Sequence, residues 1–254
     1  MIQIYSDREF ELIRRAAVII PQAFAMIEPH IVPGVTTGEI NRRIDQFIRD
    51  HGAVPSFIGV PGATGTAPFP AACCISINEE VVHGLPGKRE LQEGDIVGID
   101  VGTRLDGYHG DAARTFAVGE CDAAALKLME ATRRALQAGI DAALPGNRIG
   151  DIGYAIQSVV EPYGFGIVRE MVGHGVGAEL HVPPEVPNYG RPGTGQLLKA
   201  GMCLALEPMI NLGRSAIEVK PDGWTVVTSD RSLSAHFENE IRITENKPQI
   251  LTEI

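Results

Sequence analysis

The sequence predicts an α+β fold made of two copies of a helix–helix–hairpin unit related by a pseudo-twofold, and three observations point to it. The same order of elements occurs twice along 254 residues. The segment PGVTTGEINRRI at 33–44 aligns with PGNRIGDIGYAI at 145–156, keeping Pro, Gly, Gly, Ile and Ile and answering Glu39 with Asp151. LQEGDIVGID at 91–100 aligns with LKAGMCLALE at 198–207, so that Asp100 answers to Glu207. The repeat is expected over roughly 7–118 and 120–245, within one domain spanning 1–254.

Each element has a local cause. Ser6 and Glu9 form a capping box for an amphipathic helix over roughly 7–30, which Pro21 should kink or interrupt. After the break at Pro33-Gly34, Thr36 and Glu39 start a second helix. There Ile40, Ile44, Phe47 and Ile48 share one face, and Gly52 stops it. Residues 53–72 carry no charge and are rich in Gly, Pro and Ala, which predicts a loop or irregular strand. In the second unit an Ala/Leu-rich helix covers roughly 122–143, and another runs from about Asn147 to near Gly164.

Composition bounds the function. With 44% hydrophobic residues the chain has ample material for a core. It carries 22 basic and 32 acidic residues, a formal charge of -10, and no Lys/Arg run reaches the roughly 5 to 8 residues of a basic patch, so nucleic acid is not expected as its main ligand. The start MIQIYSDREF lacks a basic segment followed by an apolar one, and no long apolar run follows. The expectation is a soluble, cytoplasmic protein without a membrane span. Cys73, Cys74, Cys121 and Cys203 form no C-x-x-C pair and are expected as buried thiols, not as disulfides or a structural zinc site.

The chemistry starts at Asp100 and Asp111, which interrupt two runs of strand formers joined by the turn signal Arg104-Leu105-Asp106-Gly107. A turn centred on Leu105-Asp106 sets the two acids opposite each other. One centred on Asp106-Gly107 pairs Asp111 with Gly102 and makes Asp100 its diagonal neighbour. Both registers put the carboxylates on one face. Taken alone, Asp100 could pair with Arg104 or Arg114 while Asp111 caps a turn. The repeat adds Glu207, and Glu238 stands near the start of a strand as Asp111 does, with a longer insertion at 211–234 between the two strands. Four converging acids cannot all ionise without cations, which points to a metal centre.

Three histidines join this set. His83 precedes Gly84 in NEEVVHGLPG, and His174 and His181 lie in the glycine-rich stretch GHGVGAELHVPP. His30, His51 and His109 are expected at the surface. Carboxylates with imidazole suit Mn²⁺, Fe²⁺, Co²⁺ or Zn²⁺. So many anionic ligands would hold two ions about 3.5–4 Å apart, and two such ions suit hydrolysis of a carbonyl or phosphoryl bond. H-E-x-x-H, G-x-x-x-x-G-K-[ST] and G-x-S-x-G motifs are absent, and the Gly173-x-Gly175-x-Gly177 run is too weak to signal a nucleotide.

The stretches SINEEVVHGLP, DIVGIDVGTRLDGYHGDAARTF, MVGHGVGAELHVPPEVPNYG, GMCLALEPMIN and DGWTVVTSDRSLSAHFENEI together resemble the type I methionine aminopeptidases of the pita-bread fold. The resemblance implies a central curved antiparallel sheet with helices outside. It implies metals held by Asp100, Asp111, His174, Glu207 and Glu238, with Asp111 and Glu238 bridging. It also implies substrate contacts by His83 and His181, and an acid/base role for Glu207. The implied cofactors are two divalent ions (Co, Mn, Fe or Zn), and the implied reaction removes the initiator methionine from a nascent or released chain. The lack of an N-terminal extension resembles the short bacterial form, with a peptide substrate, transient ribosome association and a monomeric state as the expected partnerships.

The substrate pocket departs from the family pattern. Cys74 and Trp224 match, but Leu180 replaces the usual Phe and Asn239 the usual His. The usual G-Y-x-G-[FY]-P stretch is replaced by IGVPGATGTAPFPAACC, which has extra residues and no tyrosine, so an aromatic wall is expected to be missing. Two competing functions follow: an Xaa-Pro-directed or other-specificity aminopeptidase of the same fold, and a non-catalytic pita-bread protein that binds a peptide or a ribosomal partner.

Overall fold

In the computed structural model, which describes residues 2–253, five helices lie against antiparallel sheets. Helix α1 spans Asp7–Ala17 and begins with the expected capping box between Ser6 and Glu9. The chain breaks at Val18 and resumes as α2, Ile19–Ile27, with Pro21 in its first turn. The missing N–H of Pro21 and its clash with the carbonyl four residues back account for the break. Helix α3, Thr37–Asp50, is capped by Thr36, whose side chain accepts from the Glu39 N–H. In the second half α4 spans Ala123–Ala142, and α5, Ile149–Val160, runs on through a 3-10 turn to Gly164 in a left-handed conformation.

The first hairpin pairs Ile96–Leu105 with Tyr108–Ala117, turning at Asp106-Gly107. Of the two registers, Asp111 is therefore paired with Gly102 and Asp100 with Ala113. The strand Cys73–Ile77 flanks the hairpin and sets Cys74 opposite Asp100. In the second half Cys203–Leu206 pairs with Asn239–Arg242 through Leu206↔Asn239, and the next residues along this register are Glu207 and Glu238. The acids are thus diagonal in the first hairpin and opposed in the second.

Alternation of side chains explains the layering. Ile99 and Val101 pack on α2 and α3 with Ile20, Ile27, Ile40, Ile44 and Ile48, while Asp100 takes the other face. Leu204 and Leu206 pack on α4 and α5 with Leu128, Leu136, Ile152 and Ile156, leaving Ala205 and Glu207 on the opposite face. Burying each such aliphatic side chain contributes about 1.5–3 kcal/mol, so the apolar faces fix which way the acids point.

The insertion at 211–234 is not a bare loop. It forms a hairpin of Ile217–Val219 and Val226–Thr228 that pairs with Glu80–Val82 of the first half, which carries Trp224 toward His83. The halves are also tied by Glu238 N–H donating to Ala113 O at 2.9 Å. Cys73, Cys74 and Cys203 are buried free thiols and Cys121 is half-buried. His30 and His51 lie at the surface as expected, but His109 does not. It is buried, with Nδ1 2.9 Å from Ser56 Oγ, because strand alternation turns it inward two residues before Asp111.

Candidate metal centre and substrate cavity

Asp100, Asp111, His174, Glu207 and Glu238 come together where the two hairpins meet. His174 sits in the short strand Gly173–Gly175, paired with Ala205. A side chain at Gly173 would come within 2.4 Å of Ala205 O, so only glycine lets the strand lie that close. His174 Nε2 is 3.4 Å from Glu207 Oε1 and 3.8 Å from Asp111 Oδ2. Three sets of donor atoms converge within 4.8 Å: Asp111, His174 and His181; His174, Glu207 and Glu238; and Asp100, Asp111 and Glu238.

The carboxylates lack partners. Asp100 Oδ1, Asp111 Oδ1 and Glu238 Oε1 are buried and make no hydrogen bond. No Lys or Arg nitrogen pairs with any of the four acids among the described residues, which removes the salt-bridge alternative. Arg114 is near, but it donates to the carbonyls of Ala113 and Glu238 and to Asn239 Oδ1. Burial pushes the Asp100 carboxyl up to about 7. Burial and then mutual repulsion push Asp111, Glu207 and Glu238 well above the usual carboxylate range. Burial also holds His174 neutral, down to about 3. Orphaned acid oxygens beside a neutral imidazole nitrogen are the donor set that a divalent cation satisfies, so the residues fit such an ion.

The remaining expected residues line the same cavity, of about 250 Å³: Cys74, His83, Leu180, His181 and Trp224. His83 ends the strand Glu80–Val82 in a left-handed conformation with φ 58°. Gly84 follows, and a Cβ there would meet Ile75 O at 2.1 Å, so the glycine is what allows His83 to turn inward. Burial lowers His83 to about 4 and lowers His181, whose ring meets that of His174 edge-on at 4.3 Å.

The expected loss of an aromatic wall is overturned. Phe57 and Phe69 line the cavity with Trp224, and all three pack edge to face. The extra residues loop outward. Gly59 N–H donates to Phe69 O and Phe69 N–H to Val60 O, both at 2.9 Å, so the chain returns to the place it left and Phe69 faces inward. Trp224 Nε1 donates to Ala67 O on that loop at 3.0 Å. The sequence signal was the single Phe in PFP, masked by the inserted residues before it.

A second omission is His236. It is 4% exposed, and its Nε2 lies 3.9 Å from Glu207 Oε2 and 4.0 Å from Glu238 Oε2. Its position two residues before Glu238 on an extended chain was the available signal.

Comparison with known proteins decides the family: the model of metallopeptidase family M24 matches residues 11–245. The chain belongs to metallopeptidase family M24. A methionine aminopeptidase of Clostridium acetobutylicum is 49% identical over 253 residues, covering 99% of each chain. The crystal structure of methionine aminopeptidase from Rickettsia prowazekii superimposes with a TM-score of 0.96 at 41% identity, covering 100% of both chains. A prolidase from Pyrococcus furiosus shares the fold alone, with a TM-score of 0.80 at 24% identity over 99% of this chain and 65% of that one. The architecture is the pita-bread fold of M24 proteins, as expected. Membership of M24 implies divalent metal ions. Among the described residues no helix is long and apolar enough to cross a membrane.

Proposed function

We infer that this chain is a metal-dependent aminopeptidase that removes methionine from the N-terminus of nascent or released polypeptides. The observation that carries this is one cavity in which four carboxylates, three of them with a buried oxygen that makes no hydrogen bond, share space with an apolar wall of Phe57, Phe69, Leu180 and Trp224. Full-length similarity to methionine aminopeptidases favours it over the Xaa-Pro-directed function, for which similarity extends to the fold only. The complete acid and histidine set speaks against a non-catalytic binding protein.

Asp100, Asp111, His174, Glu207 and Glu238 would hold two divalent ions drawn from Co, Mn, Fe or Zn. When bound, such ions supply Lewis acidity and bring the pKa of a water toward neutrality. Glu207 accepts a proton from the attacking water at its carboxylate and delivers it to the leaving nitrogen, which closes the proton balance. His83 and His181 contact the peptide as neutral imidazoles and stabilise charge that develops on the scissile carbonyl. Cys74, Leu180 and Trp224, with the two phenylalanines, hold the methionine side chain away from water.

The whole of 1–254 acts as one catalytic domain, with the halves 7–118 and 120–245 each giving one acidic hairpin. One chain supplies the full donor set, which suits a monomer. A nascent-chain substrate brings transient contact with the ribosome, and four free thiols suit the cytoplasm. The test is turnover by Mn²⁺- or Co²⁺-reconstituted protein across peptides differing in the first residue. Met-Ala-Ser should be cleaved and Ala-Pro-Ala should not, and the reverse order would refute the assignment.

A further inference from the structure

His236 occupies a place that the acid set alone does not explain. Its Nε2 is buried and has no hydrogen-bond partner. Glu207 lies between two imidazoles, with Oε1 3.4 Å from His174 Nε2 and Oε2 3.9 Å from His236 Nε2. Glu238 likewise turns Oε2 toward His236, at 4.0 Å, and keeps Oε1 unpartnered. His236 belongs to none of the three converging donor sets.

The backbone of His236 is fixed from the other half of the molecule. Thr115 Oγ1 donates to His236 O at 2.7 Å and accepts from His236 N–H at 3.0 Å. Thr115 follows Asp111 by four residues on the same strand, so one strand carries both a metal-binding acid and the clamp on His236.

Resting on the M24 metal reading, we propose that His236 is a positioning residue whose Nε2–H serves the Oε2 atoms of Glu207 and Glu238, leaving their Oε1 atoms for the cations. A shift of about an ångström brings Nε2 from 3.9 Å to hydrogen-bonding distance of Glu207. Outer partners of this kind hold a ligand carboxylate in the orientation that the ion needs, and losing one typically weakens metal binding about 10–100-fold.

The experiment is calorimetric titration of the metal-free protein with Mn²⁺. His236→Leu should bind about 10–100-fold more weakly, and His236→Gln, which keeps an N–H donor, should recover most of the loss. Equal affinity in His236→Leu and wild type overturns the proposal, whereas a wild type that binds no Mn²⁺ overturns the metal reading itself. Nitrogen-15 NMR of histidine-labelled wild type loaded with Zn²⁺ needs no folded variant. A protonated Nε2 on His236 is expected, and an unprotonated, metal-bound Nε2 would make His236 a ligand and overturn the positioning role.

Discussion

Asp111 and Glu240 are tied across the two halves of the molecule: the Asp111 backbone N–H donates to Glu240 Oε2 at 3.0 Å. Glu240 is fully buried, and Cys203 Sγ lies 3.1 Å from its other oxygen. Glu240→Ala leaves the Asp111 N–H and the thiol without an acceptor, and should destabilise the fold by about 1–3 kcal/mol. Glu240→Gln keeps an acceptor oxygen and should lose less. Urea unfolding of both variants measures the difference, and equal losses would show that the tie contributes nothing.

Stability of the metal-free protein should fall as pH rises above neutrality. Asp100 is pushed up to about 7, and Asp111, Glu207 and Glu238 are raised well above their ordinary values. The folded state keeps protons that the unfolded chain releases near pH 4. The contribution is therefore full below that pH and is lost as pH climbs through the folded values. His83, lowered to about 4, and His174, lowered to about 3, act in the opposite sense, but only as pH falls below about 6.5. From about pH 7.5 to 8.5 the histidines of the unfolded chain are already neutral, and the slope is set by the raised acids, with Glu240 pushed up to about 8. The buried thiols Cys73, Cys74 and Cys203, also raised by burial, act in the same direction. Tm of chelator-treated protein should drop across that window, and saturating Mn²⁺ should flatten the curve. A metal-free Tm that is level or rising would contradict the burial and mutual repulsion that raise the acids.

Glu207→Gln should lower kcat about 10²–10⁴-fold with little change in KM, the loss expected on removing an acid/base. Steady-state kinetics at saturating metal separates this from weaker substrate binding. An unchanged kcat would remove Glu207 from the proton path.

Phe69→Ala should lower kcat/KM for methionyl peptides at least tenfold, because each 1.4 kcal/mol of lost apolar contact is a factor of ten. The same change should matter less for peptides that begin with alanine. Equal losses on both would mean that Phe69 supports the fold and does not line the methionine subsite.

The acid cluster was legible where strand alternation and the repeat acted together. Asp100 and Asp111 fall on one face in either hairpin register, and Asp100 aligns with Glu207, so four acids could be placed without coordinates. Phe69 was hidden because the path of 60–68 depends on hydrogen bonds between Gly59, Val60 and Phe69, which leave no periodic trace. His109 is expected at the surface because it stands next to the hairpin turn, yet register places it inside. The spacing of His236 from Glu238 puts the two on one face of an extended chain, but its approach to Glu207 depends on strand pairing that the local sequence does not show.

The most direct test of the metal centre is calorimetric titration of chelator-treated protein with Mn²⁺, alongside Asp111→Ala and Glu238→Ala. A two-ion centre predicts two ions per chain in the wild type and reduced stoichiometry in each variant. Unchanged stoichiometry in both variants would contradict it.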